Sequence, residues 1–369
     1  MSGAAQPPIE ARRSEPDART EPRAYAALDL GTNNCRLLIA SPTPRGFRVL
    51  EAFSRIVRLG DGLAHTGRLD GAAMERALAA LKICADRIRR RGAPPLRAVA
   101  TQACRSAVNG PDFIARVEAE TGLKLSIISP KEEARLSVAG CVALLDRDCD
   151  AAVVVDVGGG STELSWIDLG QLQFDPDRRP PHPARLPIKA WLSVPIGVVT
   201  LADRFPEQDE AREAWFRAMV EQVKSEIGRF EGARELEPVF REGRAHLIGT
   251  SGAITSLAGL HLGLSRYERA RVDGLWMTRA DCEAAAGKLM GMNARERAAQ
   301  PCIGPDRADL VLAGAAILQA VQELWPCERV RVADRGLREG LLMSLMSKPP
   351  RRRRRARRPA RFAASGPAS

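Results

Sequence analysis

The chain has 369 residues, 45% of them apolar, enough to bury the cores of two domains. No apolar run approaches a membrane span and no signal-type hydrophobic segment opens the chain, while eight cysteines without a C-x-x-C pair and four isolated histidines argue against a disulfide frame or a zinc site; the expected setting is cytoplasmic, with no membrane partner. The net charge of +11 is mostly a tail property, because residues 348–369 hold one lysine, eight arginines and no acid, leaving +2 for the remainder.

Residues 1–23, rich in Pro, Arg, Glu and Ala without apolar periodicity, are expected to be disordered. The stretch Ala26-Ala-Leu-Asp29-Leu-Gly31-Thr32-Asn33-Asn34-Cys35-Arg36-Leu37-Leu38-Ile39 reads as strand, acidic residue, polar turn, strand, and a third strand is predicted near residues 47–57. Residues 70–91 carry apolar side chains at helical spacing, with Asp70 as a cap and Gly92 as the stop. A strand over 96–100 follows. The chain then leaves its carboxyl end at Thr101–Arg105, where open α/β sheets place ligands. Arg105 offers a bidentate fork to phosphate, although a solvated surface arginine is the default in so Arg-rich a chain.

A helix is predicted from Asn109-Gly-Pro111 to Thr121-Gly122, then a strand over 125–128. Ser129 and Glu132 have the spacing of a capping box with Pro130 at the first helical position. That gives Glu132 a structural task. Glu133, about 100° further round the helix, is either a generic first-turn acid or a base at a cleft edge that orients or deprotonates water.

An acidic stretch at 146–150 marks the crossing into a second domain. There the chain reads Val153-Val-Val-Asp156-Val-Gly158-Gly159-Gly160-Ser161-Thr162-Glu163-Leu164. The valines suit a buried strand, and three glycines let the backbone turn tightly and present N–H groups to an anion, with Ser161 and Thr162 adding hydroxyl donors. Asp156 and Glu163 would repel a phosphate unless a hard divalent cation stood between, most simply Mg²⁺, with Mn²⁺ as the other candidate. A single such turn could be plain hairpin geometry. Its echo 127 residues earlier argues otherwise: Asp29 falls on Asp156, Gly31 on Gly158 and Asn34 on Ser161, which suggests two similar halves facing across a cleft.

Further on come a Pro-rich loop (171–187), a strand (188–194), amphipathic helix over 207–230, and Leu247-Ile-Gly249-Thr250-Ser251-Gly252-Ala253-Ile254, a strand entering a small-residue turn and a helix whose N-terminus is a candidate anion site. The chain then reads as mostly helical to 322, with a strand over 329–333 and a closing helix ending near Met346. The run Arg351–Arg358 is disordered by composition; its functional reading is capture of a polyanion, polyphosphate or RNA.

The two hairpins and the Gly249–Gly252 turn resemble the actin-like, sugar-kinase and heat-shock ATPase superfamily. Within it, Ala100-Thr-Gln-Ala-Cys-Arg105, Ile127-Ile-Ser-Pro-Lys-Glu-Glu133-Ala-Arg-Leu136, Gly249-Thr-Ser-Gly-Ala-Ile-Thr255 and Gly336-Leu-Arg-Glu-Gly340 are similar to the exopolyphosphatase and guanosine pentaphosphate phosphohydrolase family. The resemblance implies an α/β fold of two actin-like (ribonuclease H-like) domains, each a mixed β-sheet flanked by helices, with an interdomain cleft. It implies domain I over 24–147 closed by helix 334–347, domain II over 148–333, disordered ends at 1–23 and 348–369, and a homodimer. It matches Glu133 to the catalytic glutamate and raises Arg105 as a phosphate ligand. Asp156 and Glu163 would hold the metal. The expected phosphate-binding set is Asp29, Gly31, Thr32, Asn33, Asn34, Arg105, Gly158 to Thr162, Gly249, Ser251 and Gly252. The implied reaction is water attack on the terminal phosphate of polyphosphate or of guanosine pentaphosphate (pppGpp). An actin-like small-molecule kinase and a non-catalytic binding module are the competing readings. The first turn carries Thr32-Asn33-Asn34-Cys35 where many relatives have a serine, and the chain presents the short form, without the HD-type helical region of longer relatives.

Overall fold

The structure, a computed structural model, describes residues 24–347 apart from 45, 93, 173–184, 209 and 233. The two ends read as disordered, the basic run among them, and most of the Pro-rich loop lie outside the described residues.

Apolar runs at the two hairpins build two sheets. The first contains β1 (Tyr25–Leu30), β2 (Asn34–Thr43), β3 (Gly46–Ile56), β4 (Leu96–Ala100) and β5 (Leu125–Ile127), in the order β3-β2-β1-β4-β5. The second contains β6 (Ala151–Val157), β7 (Thr162–Asp168), β8 (Ile188–Val194), β9 (Ala245–Thr250), β10 (Trp276–Thr278) and β11 (Arg329–Ala333), in the order β10-β11-β9-β6-β7-β8. Each sheet is an antiparallel three-strand meander continued by parallel strands, β4 and β5 in one, β9 and β11 in the other. The repeat in sequence is thus a repeat in topology.

Both sheets are covered on both faces, which explains why their strands read as continuous apolar runs. Val153 and Val155 enter one core with Trp166 and the helix Val311–Leu324, while Ala152 and Val154 face the opposite way, towards Val138, Cys141 and Ile167. In the first sheet Leu28, Leu30, Leu37 and Ile39 pack on the helix Gly71–Arg90, and Ala27, Leu38 and Val99 pack on Leu341 and Leu342 of the closing helix Leu337–Met346.

Two helices lie between the sheets. Pro130–Cys141 packs on β6, β7 and β8, and Leu337–Met346 packs on β1, β2 and β4, so each helix covers the sheet made by the other end of the chain. They cross at glycines. A Cβ on Gly140 would stand 2.0 Å from the Gly336 carbonyl oxygen, and one on Gly340 would stand 1.9 Å from that of Leu136.

Several predicted caps differ in detail. Asp70 does accept from the Ala73 N–H at 3.0 Å. Ser129 accepts from the Glu132 N–H at 3.2 Å, but the Glu132 carboxylate pairs with Arg97 instead of completing the box. Within the amphipathic stretch 207–230, expected to form one or more helices, a single helix spans Arg212–Ile227. Strand β10 interrupts the stretch read as helical, and the helix Val198–Arg204 went unpredicted; three and seven residues are too short for a period to show.

Candidate active site

The two duplicated turns are built alike. The Gly31 N–H donates to the Asn34 carbonyl at 2.8 Å, and the Gly158 N–H donates to the Ser161 carbonyl at 2.9 Å. They also meet. A Cβ on Gly159 would lie 3.0 Å from Thr32 Cβ and 3.2 Å from the Asn33 N, and one on Gly160 would lie 3.0 Å from Thr32 Oγ1. Only glycine lets the second turn approach the first this closely. The junction floors a cavity of about 590 Å³ lined by Asp29, Gly31, Thr32, Asn33 and Asn34 from the first turn and by Asp156, Gly158, Gly159, Gly160 and Ser161 from the second.

The third turn reaches the same cavity. Ser251 and Gly252 line it at the start of the helix Gly252–His261. Ser251 has φ 150°, a strained region that glycine normally fills, and its hydroxyl accepts from the Ile254 N–H at 3.2 Å. Gly249 lies back inside β9, where an added Cβ would be 3.0 Å from Ile254 Cγ2; its smallness serves strand–helix packing, not the cavity.

Glu133 lines the cavity from the first turn of the helix Pro130–Cys141 and is 8% exposed. Arg105 Nη1 donates to Glu133 Oε2 at 3.0 Å and to the Ile128 carbonyl at 2.8 Å, and Nη2 donates to Gln102 Oε1 at 2.6 Å. Arg105 does not itself line the cavity: its fork holds the glutamate. One helical turn beyond Glu133, Ser137 donates to Asp156 Oδ2. Glu163 pairs with Asp156 across the β6–β7 ladder, is 2% exposed, and accepts from Ser161 and Ser193, each at 2.8 Å. Thr162 turns inward, its hydroxyl donating to the Ile196 carbonyl at 2.6 Å. Of the residues expected to touch phosphate, Thr162, Gly249 and Arg105 therefore stand behind the wall, and Glu163 is a second layer behind Asp156.

Asp29, Glu133, Asp156 and Glu163 share this small volume with a fifth carboxylate, Glu339, which is 3% exposed and lines the same cavity. Burial pushes Asp29 up to about 6, despite the opposing charges of Arg36 and Arg338. Burial and then the Asp156 charge push Glu163 up to about 7, against the Ser161 and Ser193 hydroxyls. Asp156 is raised by burial and held back by Ser137. Glu133 is raised well above the usual carboxylate range by burial and then by Glu163, with Arg105 opposing.

The donor set suits a hard cation. Asp29 Oδ1, Asn33 Oδ1 and Asn34 Oδ1 are buried acceptors without a hydrogen-bond donor, and an all-oxygen set of this kind favours Mg²⁺ or Mn²⁺. Among the described residues no three His, Cys, Asp or Glu side chains form a ready metal cage. That also fits Mg²⁺, which usually takes one or two carboxylates and leaves the rest to water and substrate phosphate. Three arginines outside the sequence-derived set line the cavity and form no ion pair among the described residues: Arg36, Arg307 and Arg338. Arg36 could have been found, since the hairpin register pairs it with Asp29. Ser137 was legible as the residue four places after Glu133 on a predicted helix. Arg307 left no periodic signal.

Two sheets of repeated topology, each presenting a glycine turn to one anion-sized cleft, make this an actin-like ATPase fold. The chain belongs to the Ppx/GppA phosphatase family, which matches residues 38–349. It is 31% identical over 337 residues to Exopolyphosphatase 2 of Mycobacterium tuberculosis, covering 87% of this chain and 98% of that protein. Among solved structures it is similar to the Aquifex aeolicus Ppx/GppA family member (28% identity, TM-score 0.68, 88% of this chain and 97% of that one). It also shares its fold with an exopolyphosphatase from Cytophaga hutchinsonii (24% identity, TM-score 0.75, 88% and 98% covered). No helix among the described residues is long and apolar enough to cross a membrane.

Proposed function

We propose that this chain is an exopolyphosphatase, hydrolysing the terminal phosphoanhydride of inorganic polyphosphate. The observation that carries the reading is the meeting of the two turns, Gly159 and Gly160 against Thr32 and Asn33, with Glu133 on the wall of the same cavity. Residues 24–147 with the closing helix, and residues 148–333, are then the two domains whose approach forms the cleft.

The terminal phosphate would rest on the turn N–H groups, with Arg36, Arg307 and Arg338 neutralising the phosphates behind it. Glu133, desolvated and therefore more basic than a free carboxylate, takes a proton from water whose oxygen attacks the terminal phosphorus. The anhydride P–O bond breaks, releasing orthophosphate and a chain one unit shorter. Arg105 fixes the orientation of Glu133 from behind. Asp156 and Asp29, with Glu163 as a supporting layer, are the groups that would hold Mg²⁺, which when bound supplies positive charge to the phosphate oxygens.

Polyphosphate is favoured over pppGpp by the lining. Tyr267 is the only aromatic residue among the described residues that line the cavity, so a base has a single ring to stack on, while three arginines without an ion pair among the described residues suit a polyanion. The test is phosphate release from tripolyphosphate, long-chain polyphosphate and pppGpp, with Mg²⁺ and with EDTA. Mg²⁺-dependent release, faster from either polyphosphate than from pppGpp, is expected. Release only from pppGpp overturns the substrate assignment, and phosphate transfer to an added acceptor overturns the hydrolase.

A further inference from the structure

Arg58 follows β3 and is one of few non-glycine residues with a positive φ, 46°. Its backbone is bound to the first turn. The Val57 and Arg58 N–H groups both donate to the Asn33 carbonyl, at 2.9 and 3.1 Å. Arg76 braces it from behind, donating to the Val57 carbonyl at 3.0 Å and to the Arg58 carbonyl at 3.3 Å. The side chain then crosses to the other half of the molecule, where Nη2 pairs with Asp309 Oδ2 at 3.0 Å and donates to the Asp306 carbonyl at 3.4 Å.

The segment it reaches, residues 301–310, contributes Arg307 to the cavity. There the Arg307 guanidinium lies against Gly252, its Cζ 3.5 Å from where a Cβ would be, at the N-terminal end of the helix Gly252–His261. The same segment is anchored on its own side by the fully buried Arg297, whose Nε donates to the Ala308 carbonyl at 2.8 Å. Arg297 is a permanent anchor. Arg58 and Asp309, with side chains 35% and 49% exposed, form a pair weak enough to open and close.

We propose that Arg58 is a positioning residue: it latches residues 301–310 to the Asn33 turn, seating Arg307 over the cleft and closing the two halves around the phosphate chain. The inference rests on the reading of the cleft as a polyphosphate site. A strained backbone at Arg58, fixed to the turn that the phosphate would touch, is what aims the guanidinium outward across the cleft.

The test uses Arg58→Gln, Asp309→Asn and the charge-swapped double variant Arg58→Asp with Asp309→Arg; aspartate tolerates positive φ. Steady-state phosphate release from tripolyphosphate is read beside hydrogen–deuterium exchange of the peptide covering 301–310. Each single variant is expected to raise KM about two- to five-fold, the range of an exposed ion pair, with kcat nearly unchanged and exchange of that peptide faster. The double variant should restore both readouts. Unchanged KM and exchange in the singles, or a swap that restores neither, overturns the latch. If the parent protein fails to turn over tripolyphosphate, the polyphosphate reading falls, and the exchange data alone still decide whether Arg58 holds the segment.

Discussion

Replacing Glu133 by glutamine separates a catalytic from a structural role, because the two predict opposite outcomes. Glutamine keeps the volume of a side chain that is 11% exposed, and Arg105 retains its bonds to the Ile128 carbonyl at 2.8 Å and to Gln102 at 2.6 Å. The substitution loses the Arg105 ion pair but also removes a buried charge facing Glu163 and Asp156. Those contributions oppose each other, so the loss of stability should stay below the roughly 3–5 kcal/mol that breaking a buried pair costs when nothing offsets it, and the thermal transition should persist. Turnover should fall by about 10²- to 10⁴-fold, the contribution of a general base, or roughly 3–5 kcal/mol of barrier. The assay is kcat for phosphate release from tripolyphosphate, with Tm by calorimetry on the same sample. A variant within tenfold of the parent and equally stable would refute the base assignment; activity lost together with the thermal transition would make Glu133 a structural residue.

Ser137→Ala removes the hydroxyl donor to Asp156 and should raise the Mg²⁺ concentration for half-maximal rate about tenfold, with Tm nearly unchanged, as a Mg²⁺ titration of activity would show. In EDTA the protein should lose stability as pH rises from about 4 to about 7. Asp29 has a folded pKa of about 6, above its ordinary 3.8, so its stabilising contribution is complete below the unfolded value and is lost as pH climbs through 6. That loss is about 3 kcal/mol at most, and Glu163, pushed to about 7, adds in the same direction. Mg²⁺ should therefore raise Tm more at pH 8 than at pH 5, measured by calorimetry with and without the ion. Gly140→Ala places a methyl 2.0 Å from the Gly336 carbonyl oxygen at the crossing of the two central helices. Destabilisation of about 3 kcal/mol or more is expected, and a chemical-denaturation midpoint equal to the parent's would contradict the close crossing.

Regular elements were legible where a period or a cap marked them. Strands β4, β8 and β11 fall on the predicted residues, as does the helix Gly110–Thr121; Pro or Asn precedes each within a few residues, and Pro or Gly follows β8, β11 and the helix. The glycine turns were legible as turns, but sequence says nothing about which way a side chain leaves a strand end. Thr162 and Ser161 are adjacent hydroxyls that part where the turn enters β7, one donating to the Ile196 carbonyl and the other to Glu163. Arg105 was read as a phosphate ligand because guanidinium suits phosphate. It equally suits carboxylate, and Glu133, only three ångströms off, took it.

The duplication also explains why the site is chemically lopsided. The first hairpin pairs Asp29 with Arg36 across its ladder, and the second, at the matching positions, pairs Asp156 with Glu163. One copy thus presents a carboxylate beside a cation and the other a carboxylate pair, so the two turns can take different parts of a metal-bound polyanion although their backbones are alike. Glu133 belongs to neither repeat. It reaches the junction because the helix Pro130–Cys141 leaves the first sheet after β5 and packs on the second, while the closing helix makes the reverse exchange. That crossing, possible only with glycine at 140 and 340, puts a base from the first half of the chain against the turn of the second. Any motion that separates the sheets must also move Glu133 with one of them, so opening the cleft and disassembling the site are a single event.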